Sequence, residues 1–437
     1  MTIIDVPVTA DIPSEQSAAT YARALRVMPG GNTRTAVFTS PYPLYAQSGR
    51  GARVTDIDGV ERIDFLNNST SLIHGHAHPW IVRAVTEAIG RGSCFGLPTV
   101  LEVELAEAIC ARNDTFEQIR FTSTGTEAVM MAVQAARAFT GRPMLAKLAG
   151  AYHGAYDAVT IDNEGVGSAG TPVGLPDGVR HDTVTIPFND PDGSLAVLRR
   201  HAAELACVLI DPVPWRLGLL PATSEYLRVL REFCDSSGAL LISDEVGSFR
   251  VGYHGAIHAL GGSAHLTVLG KVIGGGMPIG AVAGLRDPMS VFDPSQGHPP
   301  LPHSGSYNGN PVSMSAGLAS MSLLTADEIS RINQLGEQAR QLLRRAIDAQ
   351  GLGWTVNGMG SLFRIVGPRP TAGPPPVAVL YRALLGNGIL LGESGLGCIS
   401  TPMAAAEVDQ LATATERSLA EMAGRIGHDA APAGARP

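Results

Sequence analysis

The stretch Val268-Leu-Gly-Lys-Val-Ile-Gly-Gly-Gly-Met-Pro-Ile-Gly280 joins two apolar runs through a single lysine, Lys271, with three glycines close behind it. The run before Lys271 predicts a buried strand, so the lysine side chain would project from the strand end into a site. The glycines let the backbone approach a ligand closely or turn with positive φ. This stretch therefore predicts a strand end that carries one reactive amine.

Lysine is rare in the chain: of 32 lysines and arginines, only Lys147 and Lys271 are lysines. An amine can lose its proton and attack a carbonyl to form a Schiff base, which a guanidinium cannot do. A genome that favours arginine codons would also explain the rarity, but not the glycine-flanked apolar setting of Lys271. We therefore predict a chemical role for Lys271 and a structural one for Lys147, which lies in an ordinary strand-like run.

Composition limits the kinds of protein to consider. With 437 residues, 45% of them hydrophobic, the chain can bury one large and one smaller core. The net charge of −8 and the lack of a basic block argue against nucleic acid or an anionic membrane as partner. No signal pattern or membrane-length apolar run stands out. Five scattered cysteines without CxxC spacing predict neither disulfides nor zinc, so we expect a cytoplasmic protein.

The organisation along the chain is that of an α/β protein. Strand-like and helical segments alternate between residues 118 and 285, which predicts parallel βαβ units with ligands at the carboxyl ends of the strands. Residues 44–65 instead predict an antiparallel meander, and the pattern changes again after Pro311. We predict an N-terminal segment (1–66), a large domain (67–315), a small α+β domain completed by the N-terminal segment (316–426), and a disordered tail (427–437).

A hydroxyl-rich segment joins a predicted strand to a predicted helix at Ser123, Thr124, Gly125 and Thr126. Free backbone N–H groups at the positive end of a helix make an anion site suited to phosphate. The alternative is an ordinary Ser/Thr helix cap. No Walker pattern surrounds Lys271, so the expected ligand carries a phosphate without being an obvious nucleotide.

Two further segments predict contacts to a flat, charged ring. Asp244 and Glu245 end a buried strand, where an acid is costly unless it is paired, and a cationic ring nitrogen would pair Asp244. Glu245 could equally cap the next turn. Tyr152, beside His153, could cover a ring by stacking, although a half-buried Tyr/His pair is the commoner arrangement. A phosphate cradle, a ring-nitrogen acid, an aromatic cover and an amine at Lys271 are together what pyridoxal 5′-phosphate requires.

Seven segments, in order and spread over roughly residues 29–422, resemble the class III, fold-type-I pyridoxal-phosphate aminotransferases. The closer resemblance is to glutamate-1-semialdehyde 2,1-aminomutase and to β-amino-acid (β-phenylalanine-type) aminotransferases. The matching segments are Pro29-Gly30-Gly31, Gly75-His76-Ala77-His78-Pro79, Gly125-Thr126-Glu127-Ala128, Tyr152-His153-Gly154, Asp244-Glu245-Val246, residues 269–278, and Gly305-Ser306-Tyr307-Asn308-Gly309-Asn310-Pro311. The resemblance implies a large domain with a mostly parallel seven-stranded sheet and a small domain made from both chain ends.

The resemblance also implies roles for residues around the ring. Lys271 would form the Schiff base with the cofactor, and Asp244 would pair with its pyridine nitrogen. Tyr152 would stack on the near face of the ring and Val246 on the far face, with His153 close by.

At the edge of the site, the resemblance implies that Gly125 and Thr126 hold the phosphate. Ser306 would reach the phosphate of a neighbouring subunit, which makes a homodimer necessary. Arg34 corresponds to the arginine that grips the substrate carboxylate in the β-amino-acid branch, a contact that a planar guanidinium suits. The alternative for Arg34 is a solvated loop arginine.

The departures from the family pattern concern the substrate. Ser69 stands where the mutase has tryptophan, which leaves room for a bulkier substrate, and Trp215 could line that space. Asp211 replaces the family's usual glutamate before proline. A glycine-rich loop at residues 165–178 resembles the gating loop of the mutase.

We therefore predict an aminotransferase that moves an amino group between a carboxylate-bearing amino acid, with β- or aryl-substituted ones in view, and a keto acid. An aminomutase is the main alternative, and a racemase or epimerase is a further one. A non-catalytic, ligand-sensing regulator is disfavoured, because no basic DNA-binding module is visible and both Lys271 and Asp244 are intact.

Overall fold

The computed structural model describes residues 14–162, 174–295, 297–368 and 375–429, with the backbone alone for 423–429. The strands are β1 (Ala46–Arg50), β2 (Arg53–Asp56), β3 (Glu61–Asp64), β4 (Gln118–Thr122), β5 (Met144–Leu148), β6 (Thr183–Ile186), β7 (Leu205–Ile210), β8 (Leu240–Asp244), β9 (Leu266–Gly270), β10 (Gly280–Gly284), β11 (Thr355–Asn357), β12 (Leu362–Val366), β13 (Ile389–Leu390) and β14 (Leu396–Cys398). The helical segments are α1 (Glu15–Ala24), α2 (Asn67–Thr70), α3 (Pro79–Arg91), α4 (Val100–Cys110), α5 (Gly125–Thr140), α6 (Asp177–His181), α7 (Pro191–Arg200), α8 (Ser224–Ser237), α9 (Ala256–Ala259), α10 (Arg286–Met289), α11 (Pro311–Leu323), α12 (Ala326–Asp348), α13 (Pro376–Gly386) and α14 (Ala405–Asp429).

A seven-stranded sheet of order β4-β10-β9-β8-β7-β5-β6 forms the large domain. The five strands β9, β8, β7, β5 and β6 run parallel, while β10 lies antiparallel between β9 and β4. Every residue of β7, β8, β9 and β10 is buried, as expected for strands covered on both faces. The predicted fold class, with its mostly parallel seven-stranded sheet, is confirmed.

Two helices show how the sheet faces are covered. The alanine-rich face of α5 joins β7, β8 and β9 in one hydrophobic cluster. The apolar face of α8 joins β5 and β7 in another, and its Thr223 caps the helix by accepting a hydrogen bond from the Tyr226 amide. Parallel strands sandwiched in this way end at a common edge, where the loops can build a site.

The small domain contains strands from both chain ends. β13 pairs in parallel with β3, with Ile389 opposite Ile63, and extends the N-terminal meander to the order β1-β2-β3-β13. β11, β12 and β14 form a second sheet, against which α12 packs. α12 begins at a helix cap, where the Thr325 hydroxyl accepts from the Glu328 amide at 3.2 Å. The Glu328 carboxylate binds Arg331 and does not complete a capping box with Thr325.

The predicted limit between the domains falls inside α11, which packs against α3 and α4. We therefore propose that the large domain extends to the turn at Thr325. The sequence analysis also did not identify β6, α7, α11 or α13. α11 carries small or apolar residues around most of its circumference, so it shows no amphipathic stripe.

The C-terminal helix α14 runs to Asp429 and includes three residues of the predicted tail, and residues 430–437 lie outside the described part. Among the described residues, no helix combines the length and apolar character needed to cross a membrane.

Candidate active site

Lys271 is the first residue after β9 and lies where the parallel strands end. It adopts a left-handed backbone conformation with φ of +49°. Its Nζ lies 3.5 Å from the Thr70 hydroxyl, at the limit of a hydrogen bond. Burial lowers the pKa of Lys271, although the nearby carboxylates Asp244 and Asp211 oppose that shift. The structure thus holds an amine that loses its proton more readily than a free lysine, as a nucleophile or base requires.

Asp244 ends β8 and is 5% exposed. One carboxylate oxygen lies 2.8 Å from His153 Nδ1, and the other accepts from the Val246 amide at 3.1 Å. Burial lowers the pKa of His153, which favours the neutral imidazole, and Nδ1 lies opposite the carboxylate oxygen as the donor. No lysine or arginine forms an ion pair with Asp244 within the described residues. A buried carboxylate bonded only to neutral donors is suited to a cationic ligand.

Val246 forms the apolar floor beside this carboxylate. A Cβ added at Gly125 would lie 3.0 Å from both Val246 methyl groups, and one added at Gly270 would lie 3.3 Å from one of them. Because neither glycine has a side chain, the end of β9 and the start of α5 can both pack against Val246. This places Gly125, the first residue of α5, next to the loop that carries Asp244.

The hydroxyls ahead of α5 are partly engaged within the protein. Thr124 caps the helix, since its hydroxyl accepts from the Glu127 amide at 3.1 Å. The Ser123 amide donates to the Glu127 carboxylate at 2.7 Å, and the Ser123 hydroxyl lies 3.1 Å from Asn308 Oδ1. Thr124 is therefore a helix cap, which is the alternative considered for this segment above. The Ser123 hydroxyl would have to give up its hydrogen bond to Asn308 in order to bind a phosphate.

The amides of Gly125 and Thr126 remain available. Within the described residues neither donates to a protein acceptor, as expected for the first turn of a helix. Two free N–H groups at the positive end of the 16-residue helix α5 form an anion site. Gly154 brings the segment after β5 against Thr126, because a Cβ there would lie 3.1 Å from the threonine Cβ.

Tyr152, two residues before Gly154, has 40% of its surface exposed. The Trp215 ring approaches it edge-on, with centroids 6.2 Å apart and planes at 65°. The Arg216 guanidinium lies 4.5 Å from the Tyr152 ring centroid. The structure thus brings Tyr152 and Trp215, predicted from separate segments, into one aromatic group.

A left-handed turn, α2, carries the predicted substrate residue Ser69 and contacts both Arg34 and the Lys271 amine. All four residues of α2 have positive φ, from 48° at Asn67 to 75° at Thr70. On this turn Asn68 accepts from Arg34 Nη1 at 2.8 Å, Ser69 is exposed, and Thr70 contacts Lys271. Arg34 therefore reaches the same turn as the amine.

Two residues at this turn escaped the sequence analysis, Asn68 and Arg250. Arg250 is fully buried and donates to the Thr70 carbonyl at 2.9 Å, to Ser361 Oγ at 3.0 Å and to the Ile399 carbonyl. It thereby ties the turn to the small domain. The adjacent asparagines 67 and 68 were an available signal, because asparagine tolerates the left-handed conformation better than most residues. Nothing in the sequence distinguished Arg250.

Asp211, noted only as a departure from the family pattern, also lies in the site. It follows β7, is 8% exposed and accepts from the Val213 amide at 2.9 Å. Burial, and then the charge of Asp244, raise the pKa of Asp211 well above its usual value. Asp211 is therefore harder to ionise than a free aspartate.

The contacts of Lys147 and Glu245 indicate structural roles for both residues. Lys147 is buried in β5 and donates to the Ile161 carbonyl at 2.7 Å, and burial lowers its pKa to about 8. Glu245 accepts from the amides of Ala256 and Ile257 at 2.5 and 3.0 Å. Glu245 therefore caps α9, which agrees with the prediction that it could cap the next turn.

Ser306 is exposed in the loop that precedes α11. It is separated by one residue from Asn308, the partner of Ser123. The loop compared with the mutase's gating loop lies mostly outside the described residues, since only residues 174–178 of it are described.

These groups fit pyridoxal phosphate. Within the described residues Asp244 has no lysine or arginine partner and the Gly125 and Thr126 amides have no acceptor, while Lys271 offers an amine beside them. A phosphorylated pyridine with an aldehyde satisfies all three requirements at once.

Comparison with known proteins identifies the family. Residues 35–419 match the aminotransferase class-III family model. A relative, the glutamate-1-semialdehyde 2,1-aminomutase 2 of Lysinibacillus sphaericus, is 41% identical over 356 residues, which is 80% of this chain and 82% of the relative.

Solved structures give the same result. A transaminase with PLP bound is 64% identical with a TM-score of 0.92, covering 94% of this chain and 98% of its own. A β-phenylalanine aminotransferase from Variovorax paradoxus is 34% identical with a TM-score of 0.85, covering 93% and 94%. The predicted cofactor and the predicted resemblance are both confirmed, and the chain belongs to the class III aminotransferases, a family of enzymes that use pyridoxal phosphate.

Proposed function

We propose that the enzyme transfers an amino group between a carboxylate-bearing amino acid, including β- or aryl-substituted ones, and a keto acid. The observation that carries this proposal is the α2 turn, where Arg34 hydrogen-bonds Asn68 and Thr70 contacts the Lys271 amine. A carboxylate bound by Arg34 would have its amine-bearing carbon on the side of Lys271. The exposed Ser69 between them leaves space for a large substituent.

The cofactor, when bound, supplies an aldehyde and a ring that withdraws electrons from the substrate carbon. With the cofactor bound, Lys271 Nζ would take the proton from the carbon that bears the amine and hold it for return, a role that its lowered pKa favours. Asp244, buried and oriented by His153, keeps the ring nitrogen protonated. Tyr152 covers the ring and excludes water, while the Gly125 and Thr126 amides bind the phosphate.

An aminomutase that shifts an amine within one substrate is the second candidate. The 41% identity to a protein named glutamate-1-semialdehyde 2,1-aminomutase supports it. Ser69 in place of the mutase's tryptophan weighs against it. A racemase would use the same proton transfer at Lys271.

A donor panel read by cofactor absorbance tests the proposal. We expect the right amino acid to bleach the band of the lysine-bound cofactor, and a separate keto acid to restore it. If no amino acid bleaches the band, the proposal is wrong. Turnover without an added keto acid would establish the mutase, and loss of optical activity without an acceptor would establish a racemase.

We further propose that the enzyme is a homodimer with the active sites at the subunit interface. Large apolar side chains are exposed next to Ser306: Leu97 is 78% exposed, Val100 72% and Tyr307 67%. Asn310 joins the Ser306 loop to the α3–α4 connection by donating to the Ser93 carbonyl at 2.9 Å. A second copy covering this patch would bring its Ser306 towards the phosphate cradle of the first.

We also propose a cytoplasmic location, because the five cysteines are unpaired in the structure, as they would be in a reducing compartment.

A further inference from the structure

A second cavity, of about 370 Å³, lies where α4 and α11 of the large domain meet the first residues of α12. Its walls are mainly apolar, with Ala108 from α4, Leu318 and Met321 from α11, and Leu324. None of the residues that line it belongs to the candidate active site, and Arg112 is the one charged residue among them. Binding sites for small molecules have this volume and this character, apolar walls with a few polar groups that orient the ligand.

Arg112 follows α4 and is only 4% exposed. Its Nη2 donates to the carbonyls of Met321 and Leu324, both at 2.7 Å, and so caps the end of α11. Its guanidinium carbon lies 4.5 Å from the Tyr253 ring centroid, a cation–π contact that holds the plane of the group. These contacts give Arg112 a structural role that uses one terminal nitrogen.

The other terminal nitrogen of Arg112, Nη1, is buried without a hydrogen-bond partner. Arg62, Arg250 and Arg340 are also buried, yet within the described residues none of these three leaves a buried nitrogen unpaired. Burial lowers the pKa of Arg112, because the charged form loses its hydration. An unpaired charged donor costs free energy when desolvated, and an anion beside Nη1 would recover that cost.

The start of α12 adds a second donor to the same cavity. Ala326, the first residue of this 23-residue helix, lines the cavity, and within the described part of the chain its amide has no acceptor. The positive end of the helix therefore meets the same space as Arg112. The two acids of the first turn do not fill it: the Glu328 carboxylate binds Arg331, and Asp327 is exposed and does not line the cavity.

The cavity is open to solvent, since its lining residues Ser322, Thr325 and Ala326 are exposed. We propose that it binds a small monocarboxylic acid, with the carboxylate at Arg112 Nη1 and the Ala326 amide and the hydrocarbon body against the apolar walls. An inorganic anion would use the two donors but leave those walls without a partner. The inference does not depend on the proposed amino transfer.

The test measures binding at the cavity itself. Ser322→Cys places a thiol on its exposed lining, and peptide mass spectrometry follows the labelling of this position by iodoacetamide in the cofactor-loaded enzyme. We expect hexanoate to slow this labelling with saturation. Hexanamide, which has the same chain without the charge, should need a concentration at least about 10-fold higher for the same effect. Labelling of Cys94, which is exposed in the wild-type chain, should not change.

Three variants in the Ser322→Cys background locate the ligand. Arg112→Gln should raise the half-protecting concentration of hexanoate at least about 10-fold. Ala108→Phe keeps Arg112 and its bonds to α11 but takes up cavity volume, so it should weaken protection as well, even if Arg112→Gln destabilises the fold. Arg34→Gln removes an arginine from the substrate pocket and should leave protection unchanged.

The inference is overturned if hexanoate gives no protection or if hexanamide protects at the same concentration. It is also overturned if protection survives both Arg112→Gln and Ala108→Phe, since the ligand then lies elsewhere. Inorganic phosphate that protects as well as hexanoate would show that the apolar walls are not used, which equally contradicts the proposal. Failure of the donor panel would end the proposed amino transfer without affecting any of these outcomes.

Discussion

Lys271 leaves the sheet in a conformation that lysine rarely adopts. A left-handed backbone costs a non-glycine residue about 1–2 kcal/mol, and glycine would avoid that cost. Only lysine supplies an amine, however, and the buried position lowers the pKa of that amine. The strain at this residue is therefore the consequence of placing a reactive side chain at the strand end.

Replacing Lys271 tests its chemical role. We expect Lys271→Ala to lower turnover by about 10⁴-fold or more, because the variant loses both the nucleophile and the base. Sodium borohydride added to the wild-type holoenzyme should fix the cofactor to the peptide that contains position 271.

Lys147, the one other lysine, is a matched control. Lys147→Met should lower the melting temperature, because a buried carbonyl loses its donor, yet keep the cofactor absorbance. Borohydride labelling of the peptide around position 147 would contradict the assignment.

The lowered pKa of Lys271 predicts how cofactor uptake depends on pH. The neutral amine reacts with the aldehyde, so the rate at which apoenzyme binds pyridoxal phosphate should rise with pH and level off below 10.5, the usual pKa of lysine. The unfolded chain keeps that proton up to pH 10.5, so this residue should also make the free energy of unfolding rise with pH between its lowered pKa and 10.5. An uptake rate that levels off only at 10.5 would show an unperturbed amine.

At the scale of elements, the decisive feature is the left-handed turn α2. The turn follows β3 in the chain, and Arg250 holds it by donating to the Thr70 carbonyl. Each of its residues would be more stable in a right-handed conformation, so tertiary contacts must hold the turn in place. Its geometry places Asn68, which accepts from Arg34, and Thr70, which contacts Lys271, on one turn.

Ser69→Gly probes this strain. Ser69 is exposed with φ of 55°, so glycine would relieve the left-handed cost without removing packing. We expect the free energy of unfolding to rise by about 0.5–1 kcal/mol, measured by urea denaturation.

The control places the same change in a right-handed helix. Ser330→Gly, at an exposed position in α12, should lower the free energy of unfolding by about 0.5 kcal/mol. If both substitutions destabilise the protein, the turn is not strained in the way described.

At the scale of the whole molecule, three large apolar side chains, Leu97, Val100 and Tyr307, are exposed on two segments that Asn310 joins by its hydrogen bond to the Ser93 carbonyl. Patches of this kind on a folded protein mark contact surfaces. The site would then depend on assembly, since the partner would close the pocket near the phosphate.

Introducing negative charge into the patch tests whether the active site depends on dimer formation. Leu97→Glu together with Val100→Glu should convert a dimer into a monomer in light-scattering chromatography, because two buried carboxylates per subunit would oppose association. The monomer should also bind the cofactor more weakly. Phe139→Glu, an exposed apolar position on α5 outside the patch, should leave the dimer intact. A wild-type protein that is monomeric would refute the proposed assembly.

Much of the architecture and the reactive centre could be predicted from local sequence. Continuous apolar runs as short as β7 and β9 favour buried strands over helices because of their length, and helix signals between them imply parallel pairing. Lys271 and Asp244 stood out because each interrupts an apolar setting with a charge, and such a charge needs a reason to be there. α11 was missed because its small and apolar side chains leave no amphipathic stripe.

What the sequence determined by itself was the chemistry: one amine, one buried acid and an anion site at strand ends, which together indicated the cofactor. The tertiary structure alone decided what surrounds them. Contacts such as Arg34 to Asn68, Arg250 to Thr70 and Arg216 to Tyr152 join segments far apart in the chain, and their partners are main-chain or neutral atoms that leave no mark on residue order. A buried charge is visible in a sequence because it breaks a hydrophobic pattern, whereas a contact such as that of Arg216 with the Tyr152 ring exists only once the chain has folded.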